Sequence, residues 1–121
     1  MAEYLPAYKP GQALTLKASA TITAGQVVEV TGSGTVGPAG ADSTKWVGVA
    51  AFDAAANDNV TVYAGGVQEC IASAGITAGA NLECAADGEV VTGTTPTFAT
   101  FVGVALNTVD ADAKVRVQFA R

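Results

Sequence analysis

Ile22-Thr23-Ala24-Gly25 returns as Ile76-Thr77-Ala78-Gly79 at an offset of 54, and Trp46-Val47-Gly48-Val49-Ala50 returns as Phe101-Val102-Gly103-Val104-Ala105 at an offset of 55. Val60-Thr61-Val62 returns as Val115-Arg116-Val117, again at 55. One residue added between Val90 and Phe101 keeps the copies in register. Three matches in one order read as a duplicated supersecondary unit, each copy a turn, a strand, a loop and two more strands, with both copies built around a shared core. The halves fall at residues 14–67 and 68–121, within one β domain over 12–121.

Outward from these runs the pattern is that of strands. Leu14 and Leu16 alternate with Thr15 and Lys17, and Val115, Val117 and Phe119 alternate with Arg116, Gln118 and Ala120, the period of a strand with one buried face. Trp46 to Ala51 is almost wholly apolar and predicts a central strand buried on both sides. Residues 31–45, with four glycines and a proline, predict a long exposed loop carrying one short strand near Thr35-Val36, and residues 93–97 a second loop. Asn57-Asp58-Asn59 and Asp87-Gly88 are turn signals. Only residues 52–57 and 109–113 have room for a helical turn. The fold class is therefore all-β: a small antiparallel β-barrel or β-clip of two similar halves.

Residues 1–11 differ from the rest. Pro6 and Pro10 disfavour helix in the residues before them, and no hydrophobic alternation begins until Leu14. The segment reads as an extended N-terminal arm, which at full extension reaches about 35 Å. Tyr4, Leu5 and Tyr8 set it apart from an ordinary frayed tail, because disordered termini are usually poor in such residues. It carries no apolar run of the signal-peptide kind, and synthesis in cytoplasm is the expectation.

Composition excludes several classes of function. With a net charge of −5 the chain lacks the basic surface that nucleic acid or anionic lipid would require, so neither nucleic acid nor a membrane is an expected partner. There is no histidine, which removes the commonest general base and metal ligand. Ser19, Ser33, Ser43 and Ser73 sit in polar or turn stretches without a neighbouring base. Asp42, Asp53, Asp58, Asp87, Asp110 and Asp112 fall mainly at turns, where carboxylates bond backbone amides. Asp53 and Asp110 hold similar places after the two central strands. Cys70 and Cys84 are too far apart for a zinc motif, and they read as free buried thiols unless residues 67–71 and 82–85 pair and bring a disulfide within reach. No catalytic residue, metal or cofactor is assigned. Trp46, the sole tryptophan, is a core anchor or a subunit-interface residue.

The run from Trp46 to Ala50, followed by Asn59-Val60-Thr61-Val62-Tyr63-Ala64-Gly65-Gly66-Val67, resembles the head-decoration proteins of lambda-like phages. The Ile-Thr-Ala-Gly turns, the paired Val-Gly-Val-Ala strands and the final valine-rich strand are similar to the wider phage capsid-cement family, over about residues 12–120. The resemblance implies a non-enzymatic protein on the exterior of the virion. It would bind the mature icosahedral head as a homotrimer near three-fold positions and stabilise the head by bridging subunits of the major capsid protein. It also implies that the arm orders on the shell, with Tyr4, Leu5, Pro6, Tyr8, Lys9 and Pro10 as the capsid-binding residues. The alternative is a β-clip module that binds a small ligand or carbohydrate.

Overall fold

Two β modules follow one another along the chain, laid down in the order that the duplication demands. The computed structural model describes residues 3–9, 11, 13–94 and 96–121. In the first half β1 (Leu14–Ala18), β2 (Val27–Gly32), β3 (Thr35–Pro38), β4 (Trp46–Ala50) and β5 (Asn59–Tyr63) close into a barrel in the order β1-β3-β2-β4-β5. In the second half β6 (Val67–Ile71), β7 (Asn81–Cys84), β8 (Val90–Thr92), β9 (Gly103–Ala105) and β10 (Lys114–Phe119) form a sheet in the order β6-β10-β9-β7-β8. Replacing each strand by its repeat partner converts one order into the other. The first barrel is sealed by a parallel pairing of β1 with β3, Lys17 opposite Thr35 and Ala18 opposite Val36. In the second half the same joint is a single parallel bridge, Ala72 with Val90.

The equivalence extends to individual hydrogen bonds. Ile22 exchanges both backbone bonds with Ala54, as Ile76 does with Val109. Gly25 N–H bonds the Ala50 carbonyl at 2.9 Å and Gly79 N–H the Ala105 carbonyl at 2.8 Å, with φ at +87° in both glycines. That left-handed backbone is why the turn ends in glycine. Gly48 and Gly103 also correspond, and a Cβ on either would collide with a neighbouring carbonyl, that of Tyr63 or of Gln118.

The repeat predicts one shared core, whereas the structure has two. Ala18, Ile22, Val28, Val36, Ala50, Ala54, Val60 and Val62 fill the first barrel. Their counterparts Ala72, Ile76, Leu82, Val90, Ala105, Val115 and Val117 belong to a second, larger cluster, which also takes in Val27, Ala39, Trp46 and Val49 from the first half. The outer face of β2 and β4 is thus what joins the modules. A bulge makes this face apolar: Val28 pairs with Gly48 but Glu29 with Trp46, so Val47 is the extra residue and Trp46 swings to the side of Val49. This explains why β4 is buried on both faces, as its composition predicts, while β10 shows strict exposed–buried alternation.

Other expectations are revised. Residues 31–45 are exposed at nine of fifteen positions and carry the expected strand at Thr35-Val36, but β3 runs on to Pro38, Ala39 and Ser43 are buried, and Asp42 N–H bonds the Cys84 carbonyl at 3.0 Å, which docks this segment on the second half. Residues 52–57 and 109–113 form turns without helix, and the 3-10 turn lies at Ala86–Gly88 instead. β9 is only Gly103–Ala105, shorter than its repeat partner.

Candidate functional site

Several of the carboxylates and hydroxyls are engaged in hydrogen bonds within the fold. Asp53 Oδ1 accepts the Ala24 N–H at 2.8 Å, Glu29 Oε1 accepts the Gly40 N–H at 3.0 Å, and Ser19 Oγ lies 2.7 Å from Thr31 Oγ1. The residue that answers to Asp53 in the second half is Thr108, whose Oγ1 accepts the Ala78 N–H at 3.0 Å; Asp110 does not form a second half of a carboxylate pair. Among the described residues no three His, Cys, Asp or Glu side chains converge as metal ligands would.

Cys70 on β6 and Cys84 on β7 are buried and free. The two strands that would have to pair for a bridge are separated in the sheet by β10 and β9. Burial pushes both thiols up to about 12, with the charge of Cys84 adding to the effect on Cys70 and that of the nearby Glu29 to the effect on Cys84. Such thiols are protonated and inert as nucleophiles at neutral pH.

Trp46 is 1% exposed and taken up by its own chain. Its ring meets Phe119 edge-on at 5.5 Å, and the Arg121 guanidinium stacks over it at 4.1 Å while donating to the Trp46 carbonyl at 3.3 Å. Its Nε1 is buried with no hydrogen-bond partner. Trp46 is thus buried in the core cluster where the two modules meet.

What remains for recognition is on the outside. Residues 3–9 form no strand, and Tyr4 and Leu5 are 86% and 78% exposed. Pro6 and Lys9 are exposed as well, whereas Pro10 lies outside the described residues. Tyr8 turns back to the body, its hydroxyl 3.4 Å from Thr15 N and 3.5 Å from Thr15 O. The arm is thus anchored near its base, with its apolar side chains held out in solvent.

Two concavities accompany the arm. One, of about 230 Å³, lies where the turn Thr23–Ala24–Gln26 of the first half meets Ile71, Asp87, Gly88 and Glu89 of the second. Gln26 ties the two sides together through its Nε2, which donates to the Asp87 carbonyl at 2.9 Å. The other, of about 370 Å³, is lined by Asn81, Pro96, Thr97, Phe98 and Phe101. Sequence reasoning assigned no role to Phe98, which is 91% exposed. An aromatic residue stranded in a threonine-rich loop is the signal that marks it.

The family model described as phage cement protein matches residues 8–119. No curated protein matches the chain. Among solved structures, the head fiber gp8.5 N base of bacteriophage phi29 superposes with a TM-score of 0.72 at 22% identity, over 89% of this chain and 92% of that one. At that identity the likeness is one of fold.

Proposed function

This chain belongs to the phage cement protein family, and from that membership we propose that it coats the outside of a mature icosahedral head by gripping the major capsid protein. The coarser reading follows from the family itself: a structural, capsid-associated virion protein in a non-enzymatic role. The finer reading is that the arm, with Tyr4, Leu5, Pro6, Tyr8, Lys9 and Pro10, orders against shell subunits and bridges them. Synthesis takes place in the host cytoplasm, before attachment.

The observation that supports it is the contrast between a packed β body and an arm holding Tyr4 and Leu5 almost wholly in solvent. An extended segment without a strand partner can satisfy its backbone by adding to a sheet edge, and large side chains then supply anchors. Three copies gathered as a homotrimer near a three-fold position multiply three weak grips through effective concentration. A protein that binds only the expanded lattice stabilises that lattice by mass action, with no chemistry.

The test is co-sedimentation of purified protein with mature heads, comparing the full chain with one lacking residues 2–10. The full chain should pellet at a fixed ratio and the shortened chain should stay in the supernatant while keeping its β signature. Undiminished pelleting of the shortened chain would rule out the arm.

A further inference from the structure

On the outer face of the second half, Val104 of β9 stands opposite Asn81 of β7 on one side and Gln118 of β10 on the other. Neighbouring strands lie about 4.8 Å apart, so the two exposed amides are about 10 Å from each other with the half-buried Val104 between them. Glu83 follows Asn81 on the same side of β7, where Leu82 and Cys84 take the buried side. Gly93 is level with Asn81, whose carbonyl its N–H bonds at 2.9 Å, and the Glu83 side chain lies where a Cβ on Gly93 would project. The carboxylate is thereby turned back towards Asn81. None of these three polar side chains makes a hydrogen bond or an ion pair with the described residues. Beside them Phe98, 91% exposed, joins Asn81, Pro96, Thr97 and Phe101 around the cleft of about 370 Å³. The loop is braced from within, because Thr97 N–H bonds Thr100 Oγ1 at 2.9 Å and Phe101 N–H bonds the Thr97 carbonyl at 3.0 Å.

We propose that this cleft binds an uncharged oligosaccharide, one pyranose face packing on Phe98 and Phe101 while hydroxyls at the ring's rim bond Asn81, Glu83 and, beyond Val104, Gln118. Aromatic and apolar walls with a few convergent polar groups are the make-up of a ligand site. The C–H groups on a sugar face carry partial positive charge and suit the negative face of an aromatic ring. Each hydroxyl donates and accepts, as an amide does, and a carboxylate takes further donors. Charge narrows the class: Glu83, in a chain of net charge −5, repels an acidic sugar or a phosphate. Arg116, farther along β10, is set opposite Glu69 and balanced by it. An extended peptide is a poorer fit, because β7 and β9 are paired on both sides and offer no free backbone edge beneath the cleft. The site lies on the second half and the arm leaves from the first, so sugar binding needs no attachment to a head.

Proton–nitrogen correlation NMR of the labelled full chain tests this, with maltotetraose, cellotetraose, chitotetraose and mannotetraose each titrated to about 10 mM, and tetragalacturonate as the charged counterpart. The dispersed spectrum also reports that each variant is folded. At least one uncharged tetrasaccharide should shift the signals of Asn81, Phe98, Phe101 and Val104, and tetragalacturonate should bind about tenfold more weakly or not at all. Phe98→Ala should weaken binding by about tenfold, whereas Phe52→Ala, at an exposed aromatic of the first half, should leave it unchanged. The proposal is overturned if no uncharged sugar shifts these signals, if tetragalacturonate binds equally well, or if Phe98→Ala and Phe52→Ala behave alike. A peptide of residues 1–11 that shifts the same signals where the sugars do not would show that the cleft takes protein chain, and the proposal fails.

Discussion

Asp53 holds the backbone of Ala24 through a carboxylate bond of 2.8 Å, and at the equivalent place in the second half Thr108 holds Ala78 through a hydroxyl bond of 3.0 Å. The duplication has kept the geometry of this clasp while changing its chemistry. Asp53→Ala should cost about 0.5–2 kcal/mol, and Thr108→Ala a cost in the same range, by analogy with lost side-chain caps. Asp53→Thr should recover most of the loss. Urea unfolding of the three variants checks this, and a threonine no better than alanine would show that charge, rather than the bond, matters at position 53.

Gly48 and Gly103 should tolerate nothing larger. Each would place a Cβ against a carbonyl of the neighbouring strand, and neither backbone can retreat without breaking its ladder. Gly48→Ala and Gly103→Ala should each cost about 3 kcal/mol or more, at the upper end of overpacking penalties. Gly40→Ala, where the added methyl meets nothing within 4 Å, should be neutral or slightly stabilising. Thermal unfolding of the three variants side by side measures the difference.

Arg121 clamps the seam between the modules by stacking on Trp46. Arg121→Ala should destabilise by about 1 kcal/mol and shift the emission of the sole tryptophan to the red as water gains access to the ring. An unchanged emission maximum would mean that the stack contributes no shielding.

The two thiols predict an alkaline limit to stability. Both titrate near an ordinary 9.0 when unfolded and are pushed up to about 12 by burial in the folded chain. Between those values the unfolded state releases protons that the native state retains. Stability should thus be intact below pH 9 and fall as pH rises towards 12, by up to about 1.4 kcal/mol per unit for each thiol. Denaturant midpoints at several alkaline pH values measure the slope, which Cys70→Ala should roughly halve. At pH 8 neither thiol should react with a disulfide reagent until the protein unfolds.

In the arm, Leu5→Ala or Tyr8→Ala should weaken attachment to heads by about 1–2 kcal/mol per subunit. Leu5→Ala should leave the unfolding midpoint untouched, since that side chain is 78% exposed. A lowered midpoint would place Leu5 in the fold rather than in recognition.

The repeated Ile-Thr-Ala-Gly and Val-Gly-Val-Ala runs, together with period-two alternation, were enough to read an all-β chain as two copies of one unit, because strand faces and glycine turns are local properties. Family membership was equally legible, carried by the same runs. Local pattern could not show which copy of a face would be covered. Trp46 and Phe101 hold equivalent positions at the head of equivalent apolar runs, yet one is sealed under Phe119 and Arg121 while the other borders an open cleft. That difference arises from contacts between residues some seventy-five apart in the chain, such as Arg121 with Trp46, and from a bulge at Val47 that turns a ring towards the other half. Burial of a shared face is a property of the packed pair, so it emerges only when both modules are in place.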